Sequence, residues 1–338
     1  MEKYDQHKIF VTGVSGSGKT TFAKRYAELF DVPYLDFDAN WHYGSEDCGE
    51  FLAGLDQQFV IDAIPYSDDD AFVQYFQENQ EDIRAVCVCC TDKDEWERRV
   101  QEKPFRSLFY SYVMFYGFYF YTLRLYGTFN TVYYDSCTDE FIDQAELYKR
   151  IAWIPQVVKK GFKEYLDQQI YDKYYQDIEF LDFVGYVQSY KTWETIKDLV
   201  DWEGKTVADL GCFHCYFSIK AARAGAIVTS LDINETVLET SKIINELEGW
   251  PIHKIERWEG GEEISSDYDI VLCLNVLHHF ADVELALKNI LAKTVIFEVN
   301  QSFIPIIKKE FTIVKACLSH RKDRDKKDRI ILVCTRHV

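Results

Sequence analysis

The chain is short of what a fibrous, tethered or membrane-spanning protein needs. Of its 338 residues only 6 are proline and 2 methionine, which excludes a proline-rich spacer. No Gly/Ser-rich stretch separates the halves, so two domains packed together are expected rather than modules on a tether. Cations are scarce as well: 38 Lys and Arg face 56 Asp and Glu, a net charge of −18. Residues 1–150 hold 27 acids and 14 bases, an excess of −13, and residues 151–338 hold 29 and 24, an excess of −5. Non-specific nucleic-acid binding rests on many Lys/Arg–phosphate contacts, so this balance disfavours a nucleic-acid partner. The basic cluster at 321–327 alternates with acids between two expected strands and reads as a solvated hairpin loop. No secretory signal is read in the polar opening Met1-Glu2-Lys3-Tyr4-Asp5. The 10 cysteines are then expected to be reduced, in a cytoplasmic protein. Cys212-Phe213-His214-Cys215 has CxxC spacing, but no second such pair exists to complete a metal centre.

The apolar share, 47 %, suffices for a core in each half. The densest aromatic run, Leu108 to Tyr121, has the length of a membrane span. Its tyrosine hydroxyls argue against hydrocarbon. Tyrosine favours interfaces, which leaves peripheral contact of residues 108–121 with a membrane surface open. Packing inside the protein, or a wall on which sugars stack, are the other readings.

The most informative stretch is Gly13-Val14-Ser15-Gly16-Ser17-Gly18-Lys19-Thr20. It follows the apolar run Ile9-Phe10-Val11 and opens a helix at Thr21-Phe22-Ala23. Strand, glycine-rich loop and helix at this spacing form a phosphate-binding loop, whose backbone N–H groups wrap a polyphosphate. Gly13, Ser15, Gly16, Ser17, Gly18, Lys19, Thr20 and Thr21 are the candidate contacts. Lys19 would reach the terminal phosphates and Thr20 would hold magnesium. The helix N-terminus adds a favourable dipole.

A second signature begins at Thr206. Thr206 to Leu210 reads as a strand that turns at Gly211 into a helix from Tyr216. The next strand, Ile227 to Asp232, ends in an acid. This is dinucleotide-type logic, in which the second acid binds ribose hydroxyls. The expected class is α/β with two doubly wound domains. Residues 1–145 form the first, 146–203 an aromatic-rich helical connection, and 204–338 the second. The second is expected to have helices between successive strands and to end in a β-hairpin, Phe311–Leu318 with Arg329–Cys334.

The first half resembles the small P-loop kinases of the shikimate, gluconate and adenylylsulfate kinase group, over roughly residues 8–145. Tyr34-Leu35-Asp36-Phe37-Asp38 matches that group's acid-x-acid after the second strand. The resemblance implies ATP and magnesium as cofactors, with Asp36 near the metal and Asp38 as base for the acceptor hydroxyl. Asp62 falls at the group's second strand-end acid, another metal contact. Arg98-Arg99 through Lys103-Pro104-Phe105-Arg106 resembles the helix and lid, with Arg99 on the nucleotide. Lys103 stands where the family has an arginine; the charge survives and the bidentate fork does not, a role open to Arg106.

The second half resembles class I S-adenosylmethionine-dependent methyltransferases, over roughly residues 185–338. Asp209-Leu210-Gly211-Cys212 matches the first motif, although Phe213 and Cys215 replace later glycines. The resemblance implies S-adenosyl-L-methionine as cofactor. Asp232 and its neighbour Ile233 would lie at the ribose, Trp258 near the adenine, and Asn275 at the end of the fourth strand. His278 or His279 would take the acceptor proton, unless the acceptor is already anionic.

Together the resemblances imply a bifunctional kinase and methyltransferase acting on a small-molecule or carbohydrate hydroxyl, such as a surface-polysaccharide end or precursor. The alternative is modification of a nucleotide or nucleic-acid end. Nothing in the sequence fixes the oligomeric state.

Overall fold

Five strands of the first unit run parallel because long crossovers, one of them the helix after the glycine loop, join them. In the computed structural model the described residues are 8–36, 58–62, 75, 78–79, 81–103, 107–122, 131–168, 175–249, 251–322 and 328–337. Asp38 and Arg106 lie outside them. The strands are β1 (Lys8–Thr12), β2 (Tyr34–Asp36), β3 (Val60–Asp62), β4 (Ile83–Cys89), β5 (Thr131–Asp135) and β6 (Glu140–Ile142). Their order is β2-β3-β1-β4-β5-β6. Only β6 is antiparallel, against β5. Strand β6 is three residues long, too short for a periodic pattern to show.

Helix α1 (Lys19–Phe30) buries Phe22, Ala23, Tyr26 and Ala27. These i, i+1, i+4, i+5 positions form one stripe, which packs on Ile9, Val11, Val60, Val86 and Val88 of the sheet. Helix α2 (Lys93–Gln101) is capped by Asp92, whose carboxylate accepts from the Glu95 amide at 2.8 Å. Helix α3 (Leu108–Gly117) runs into a π-helical turn, Phe118–Thr122. The aromatic run is mostly core. Tyr112, Val113, Phe115, Phe118 and Tyr119 are buried. The Tyr119 hydroxyl donates to the Val88 carbonyl oxygen at 2.9 Å, so this internal phenol is satisfied. Tyr110, by contrast, is exposed. Among the described residues, no helix is long and apolar enough to cross a membrane.

The chain divides into two compact units at Phe162/Lys163, inside the stretch read as a connection. Helix α4 (Gln144–Arg150) belongs to the first unit, and the division falls within α5 (Ile154–Gln168). Helix α6 (Ser189–Ile196) belongs to the second unit.

The second unit has β7 (Thr206–Leu210), α7 (Tyr216–Arg223), β8 (Ile227–Asp232), α8 (Glu235–Leu247), β9 (Lys254–Arg257), β10 (Ile270–Leu274), α9 (Val283–Asn289), β11 (Thr294–Asn300), α10 (Ile304–Glu310), β12 (Phe311–Lys322) and β13 (Asp328–Arg336). The sheet order is β12-β13-β11-β10-β7-β8-β9. β13 is antiparallel to both neighbours, the expected hairpin inserted beside β11. One expectation fails: no helix joins β9 to β10. Gly260-Gly261 and Ser265-Ser266 interrupt that 12-residue link, and both residue types disfavour helix interiors.

Trp96 on α2 ties the first unit together. It is fully buried and packs against Tyr112, Phe115 and Trp153. Its indole N–H donates to the Ser15 carbonyl oxygen at 3.1 Å. Trp96→Ala should cost this unit about 3–5 kcal/mol through the cavity left behind. Trp96→Phe, which keeps most of the ring, should cost less. Urea unfolding followed by amide exchange of β1 and β4 measures both. Equal stability of wild type and Trp96→Ala would refute the role.

Candidate functional sites

In each sheet the strand order reverses around the first strand of the unit. β1 lies between β3 and β4, and β7 between β8 and β10. The crevice at the carboxyl end of such a reversal is where open α/β sheets bind ligands. Both glycine motifs sit there.

In the first unit the chain leaves β1 at Gly13, with φ +147°. A Cβ there would lie 2.3 Å from the Val88 carbonyl oxygen and 2.7 Å from Ser17 Oγ. No side chain fits, and the loop backbone folds against β4. Gly18, at φ +92°, is the N-cap of α1. The Thr12 and Ser17 hydroxyls are buried with no hydrogen-bond partner. A loop turned onto itself with orphaned hydroxyls beneath it suits an anion that brings acceptor oxygens. Lys19 is buried, and its ammonium pairs with Asp62 Oδ1 at 2.8 Å. Thr20 is half-buried and Thr21 exposed. Asp36 and Asp62 end adjacent strands and stand in register. The phenol of Tyr34 is pushed well above its usual range, first by burial and then by the charges of Asp62 and Asp36.

Arg99 reaches the loop. It donates through Nε to Glu95 at 2.7 Å and through Nη1 to Ser136 Oγ at 2.7 Å. Ser136 Oγ in turn donates to the Ser17 carbonyl oxygen at 2.6 Å. Arg98 instead pairs with Glu95 and Glu102 on the exposed face. Lys103 is exposed. The structure therefore gathers Gly13 to Thr20, Asp62 and Arg99, with Asp36 on the next strand. Ser136 and Trp96 escaped the sequence reading, since neither lies in a local motif.

In the second unit Gly211 has φ +66°, and a Cβ there would meet Val276 Cγ2 at 2.6 Å. Phe213, Cys215 and Asn275 also have positive φ, at 51°, 59° and 61°. Phe213 and Cys215 replace expected glycines, yet the backbone keeps the left-handed conformation at both. Holding non-glycine residues there costs roughly 1–3 kcal/mol each and concentrates at functional sites. Asp232 accepts from the Phe213 amide at 3.2 Å and the Asn234 amide at 2.9 Å, which fixes its carboxylate across the loop. Ile233 is exposed beside it. Trp258, read as the adenine contact, lies buried in the core cluster with Phe280 edge-on at 5.4 Å. Its indole N–H is a buried donor without a partner.

Asp209 lies beneath the loop. It is buried and accepts from Ser218 Oγ at 2.6 Å. Burial pushes its carboxyl up to about 7. His214 is buried too, and desolvation lowers its imidazole to about 4. Cys212 and Cys215 are buried free thiols. No cluster of three or more metal-ligating side chains occurs among the described residues. His278 and His279 follow Asn275 on an exposed 3-10 turn, with ring centroids 4.0 Å apart.

A network that the sequence reading missed joins this edge. Arg329 Nη1 donates to Asn275 Oδ1. Asn275 Nδ2 donates to Tyr175 Oη at 2.6 Å, and Arg321 Nη2 donates to the same oxygen at 2.9 Å. Arg321 also pairs with buried Glu298 at 3.3 Å. The Tyr175 ring meets Phe213 edge-on at 5.1 Å.

Residues 208–293, which lie in the second unit, match the family model described as "Methyltransferase domain". Among individual proteins, the chain is 30 % identical over 97 residues to a ubiquinone biosynthesis O-methyltransferase of Coxiella burnetii, covering 28 % of this chain and 41 % of that protein. The chain thus spans about two fifths of the length of that curated relative. Among solved structures, WbdD is similar at 17 % identity and a TM-score of 0.42, over 52 % of this chain and 46 % of that one. The magnesium protoporphyrin IX methyltransferase of Synechocystis PCC 6803, solved with bound SAM, is similar at 21 % identity and a TM-score of 0.38, over 52 % of this chain and 96 % of that one.

The Asp209 carboxyl has a pH consequence. Its folded-state value lies above the roughly 3.9 of an unfolded aspartate. Between those values the native state holds more protons than the unfolded state, so this group's contribution falls as pH rises from about 4 to about 7. Asp209→Asn should therefore melt higher than wild type at pH 8, with the difference shrinking as pH falls toward 4. Thermal melts of ligand-free protein across that range check the sign. A difference independent of pH would show that Asp209 is already charged in the fold.

Proposed function

We propose that the chain is a bifunctional transferase. In this reading the first unit transfers a phosphoryl group from ATP, with magnesium, to a hydroxyl of a small-molecule or carbohydrate acceptor. The second transfers a methyl group from S-adenosyl-L-methionine. The observation that carries it is the repeated arrangement: a close-packed glycine turn after the first strand at a reversal of strand order, facing an acid at the end of a neighbouring strand. The "O-methyltransferase" name of the Coxiella burnetii relative supports oxygen as the atom that receives the methyl group.

In the first unit ATP supplies the phosphoryl group and magnesium neutralises charge on its oxygens. Lys19, paired with Asp62, would hold phosphate oxygens of the nucleotide, which would give the buried ammonium an anionic partner in the bound state as well. Thr20, Asp36 and Asp62 are the residues that would hold the magnesium ion. Arg99, held by Glu95 and Ser136, guards the loop from the side of α2. Asp38 is the proposed base.

In the second unit S-adenosyl-L-methionine supplies an electrophilic methyl on a sulfonium. Asp232 accepts from the ribose hydroxyls. The Trp258 indole N–H offers a donor to the base. Phe213 and Asn275 shape the crevice where the acceptor oxygen must be placed in line. His278 or His279 takes the proton of a neutral acceptor.

Lys19→Ala should abolish phosphoryl transfer, because the transferring group loses its clamp. It should leave binding of S-adenosylmethionine unchanged. Undiminished ATP turnover by Lys19→Ala protein would refute the kinase assignment. Asp232→Ala should weaken S-adenosylmethionine binding about ten-fold or more, since each charged hydrogen bond contributes roughly 1.5–3 kcal/mol. Calorimetry measures it. Preference for a nicotinamide dinucleotide over S-adenosylmethionine would overturn the methyltransferase reading.

A further inference from the structure

Two cysteines of the first unit stand side by side just beyond the carboxyl ends of β4 and β5. These strands are parallel neighbours, with Cys89 in register with Asp135. Cys90 follows the one and Cys137 the other, and their sulfurs lie 2.8 Å apart as free thiols. The chain is held on both sides of them. The Ser136 amide donates to the Cys89 carbonyl oxygen at 2.8 Å, and the Cys137 amide donates to Asp135 Oδ1 at 3.1 Å. Thr91 Oγ1 donates to the other oxygen of Asp135. A disulfide forms without backbone movement only where the fold already brings two sulfurs together, and this fold does so. Cys89 is no rival for the bond: its thiol donates to the Tyr134 carbonyl oxygen at 3.3 Å.

The two thiols differ in access and in charge. Cys90 is buried and Cys137 half-buried. The hydrogen bond from Cys90 holds the Cys137 thiol below its usual range, helped by the Asp92 backbone and the Arg99 guanidinium and opposed by partial burial and Asp135. The same bond, with burial, pushes the Cys90 thiol up. The other acceptor within reach of Cys90, the Asp92 carbonyl oxygen, is farther, at 3.6 Å. The proton thus rests on Cys90. The more accessible sulfur, Cys137, is the one richer in thiolate, the form that attacks. Cys137 directly follows Ser136, whose hydroxyl donates to the Ser17 carbonyl oxygen and accepts from Arg99, so the pair lies beside the glycine loop.

We propose that Cys90 and Cys137 form a thiol–disulfide site, which low-molecular-weight disulfides of the glutathione class oxidise reversibly to an internal disulfide. Cys137 is the attacking sulfur and Cys90 the resolving one. The Cys137 thiolate attacks one sulfur of oxidised glutathione; a mixed disulfide forms as the glutathione S–S bond breaks, and one glutathione leaves as thiolate, taking the proton of Cys90. The Cys90 sulfur then attacks Cys137 Sγ. The Cys90–Cys137 bond forms as the mixed disulfide breaks, and the second glutathione leaves and takes a proton from solvent. Two protein sulfurs are oxidised and two glutathione sulfurs reduced. A reducing compartment allows such a bond as a transient, sensing one. None of this chemistry calls on ATP or S-adenosylmethionine, so the site stands apart from both proposed transfers.

The test incubates the full, reduced chain with oxidised glutathione at pH 7 and maps its thiols by mass spectrometry without reduction. The peptide that carries Cys90 should become joined to the one that carries Cys137, and dithiothreitol should separate them again. Cys90→Ser should stop at the first step and retain glutathione on Cys137. Cys137→Ser should leave Cys90 reduced. In the untreated wild type, Cys137 should react with iodoacetamide at pH 7 about ten-fold or more faster than Cys317, which is also half-buried but whose thiol burial pushes up. Circular dichroism of the reduced variants reports an intact fold; should either variant fail that check, the wild-type map and alkylation rates decide. A wild-type chain that keeps Cys90 and Cys137 reduced, or that joins either to a different cysteine, overturns the site. Alkylation of Cys137 no faster than of Cys317 overturns its role as the attacking sulfur.

Discussion

The close approach of a turn to the neighbouring strand is the constraint on which both candidate sites depend. Gly13 leaves β1 and lies against β4; Gly211 leaves β7 and lies against Val276, just past β10. In each unit a Cβ would enter the neighbour's atoms, so the residue must be glycine and the backbone must turn left-handed. That turn brings the following amides to the carboxyl edge of the sheet. Everything else at the two sites is arranged around them: Lys19 and Arg99 in the first unit, Asp232 and Tyr175 in the second.

The two loops are braced differently. The first relies on glycine again at Gly18, and on Trp96 and Ser136, which hold the Ser15 and Ser17 carbonyl oxygens from outside. The second keeps left-handed conformations at Phe213 and Cys215, where the backbone gains nothing from the side chains. Compensation comes from Asp232, which accepts the Phe213 amide, and from Ser241, whose hydroxyl donates to the Phe213 carbonyl oxygen at 2.5 Å. The Phe213 ring then becomes available as a surface for Tyr175. The departure from the glycine pattern thus brings an aromatic contact to the crevice at the expense of local strain.

This difference also explains what was legible in the sequence. The strands around both loops follow from short apolar runs ended by glycine or an acid, and Thr206–Leu210 and Ile227–Asp232 have the expected bounds. Asp62 beside Lys19, and Asp232 across the Gly211 loop, could be read because each ends a strand next to the loop. The Tyr175 network could not. Its bonds join residues 146 positions apart, Tyr175 to Arg321, and 54 apart, Asn275 to Arg329. Of the cluster at 321–327, read as a solvated loop because its charges alternate, residues 323–327 lie outside the described residues; Lys322 is exposed, whereas Arg321 bonds to Tyr175 and Glu298. The helix expected between β9 and β10 failed for a simpler reason: alternation of strand and helix was extended across a segment whose glycines and serines do not support it.

The buried carboxylates of the second unit show how one sheet supports two chemistries. Asp209 and Glu298 are both almost wholly inaccessible, and an unpaired charge at either position would be costly. Asp209 has a hydroxyl partner, Ser218, and burial raises its carboxyl toward neutrality. It can support the loop above without imposing a full negative charge in the ligand-free protein. Glu298 has the Ser319 hydroxyl and the Arg321 guanidinium, so its charge has a counterion. That counterion also holds the arginine in place: Arg321 cannot swing to solvent without leaving a buried carboxylate unpaired. The fixed guanidinium orients the Tyr175 oxygen, and Asn275 relays the arrangement to Arg329. A buried carboxylate thereby fixes the Arg321 guanidinium and, through it, the Tyr175 hydroxyl.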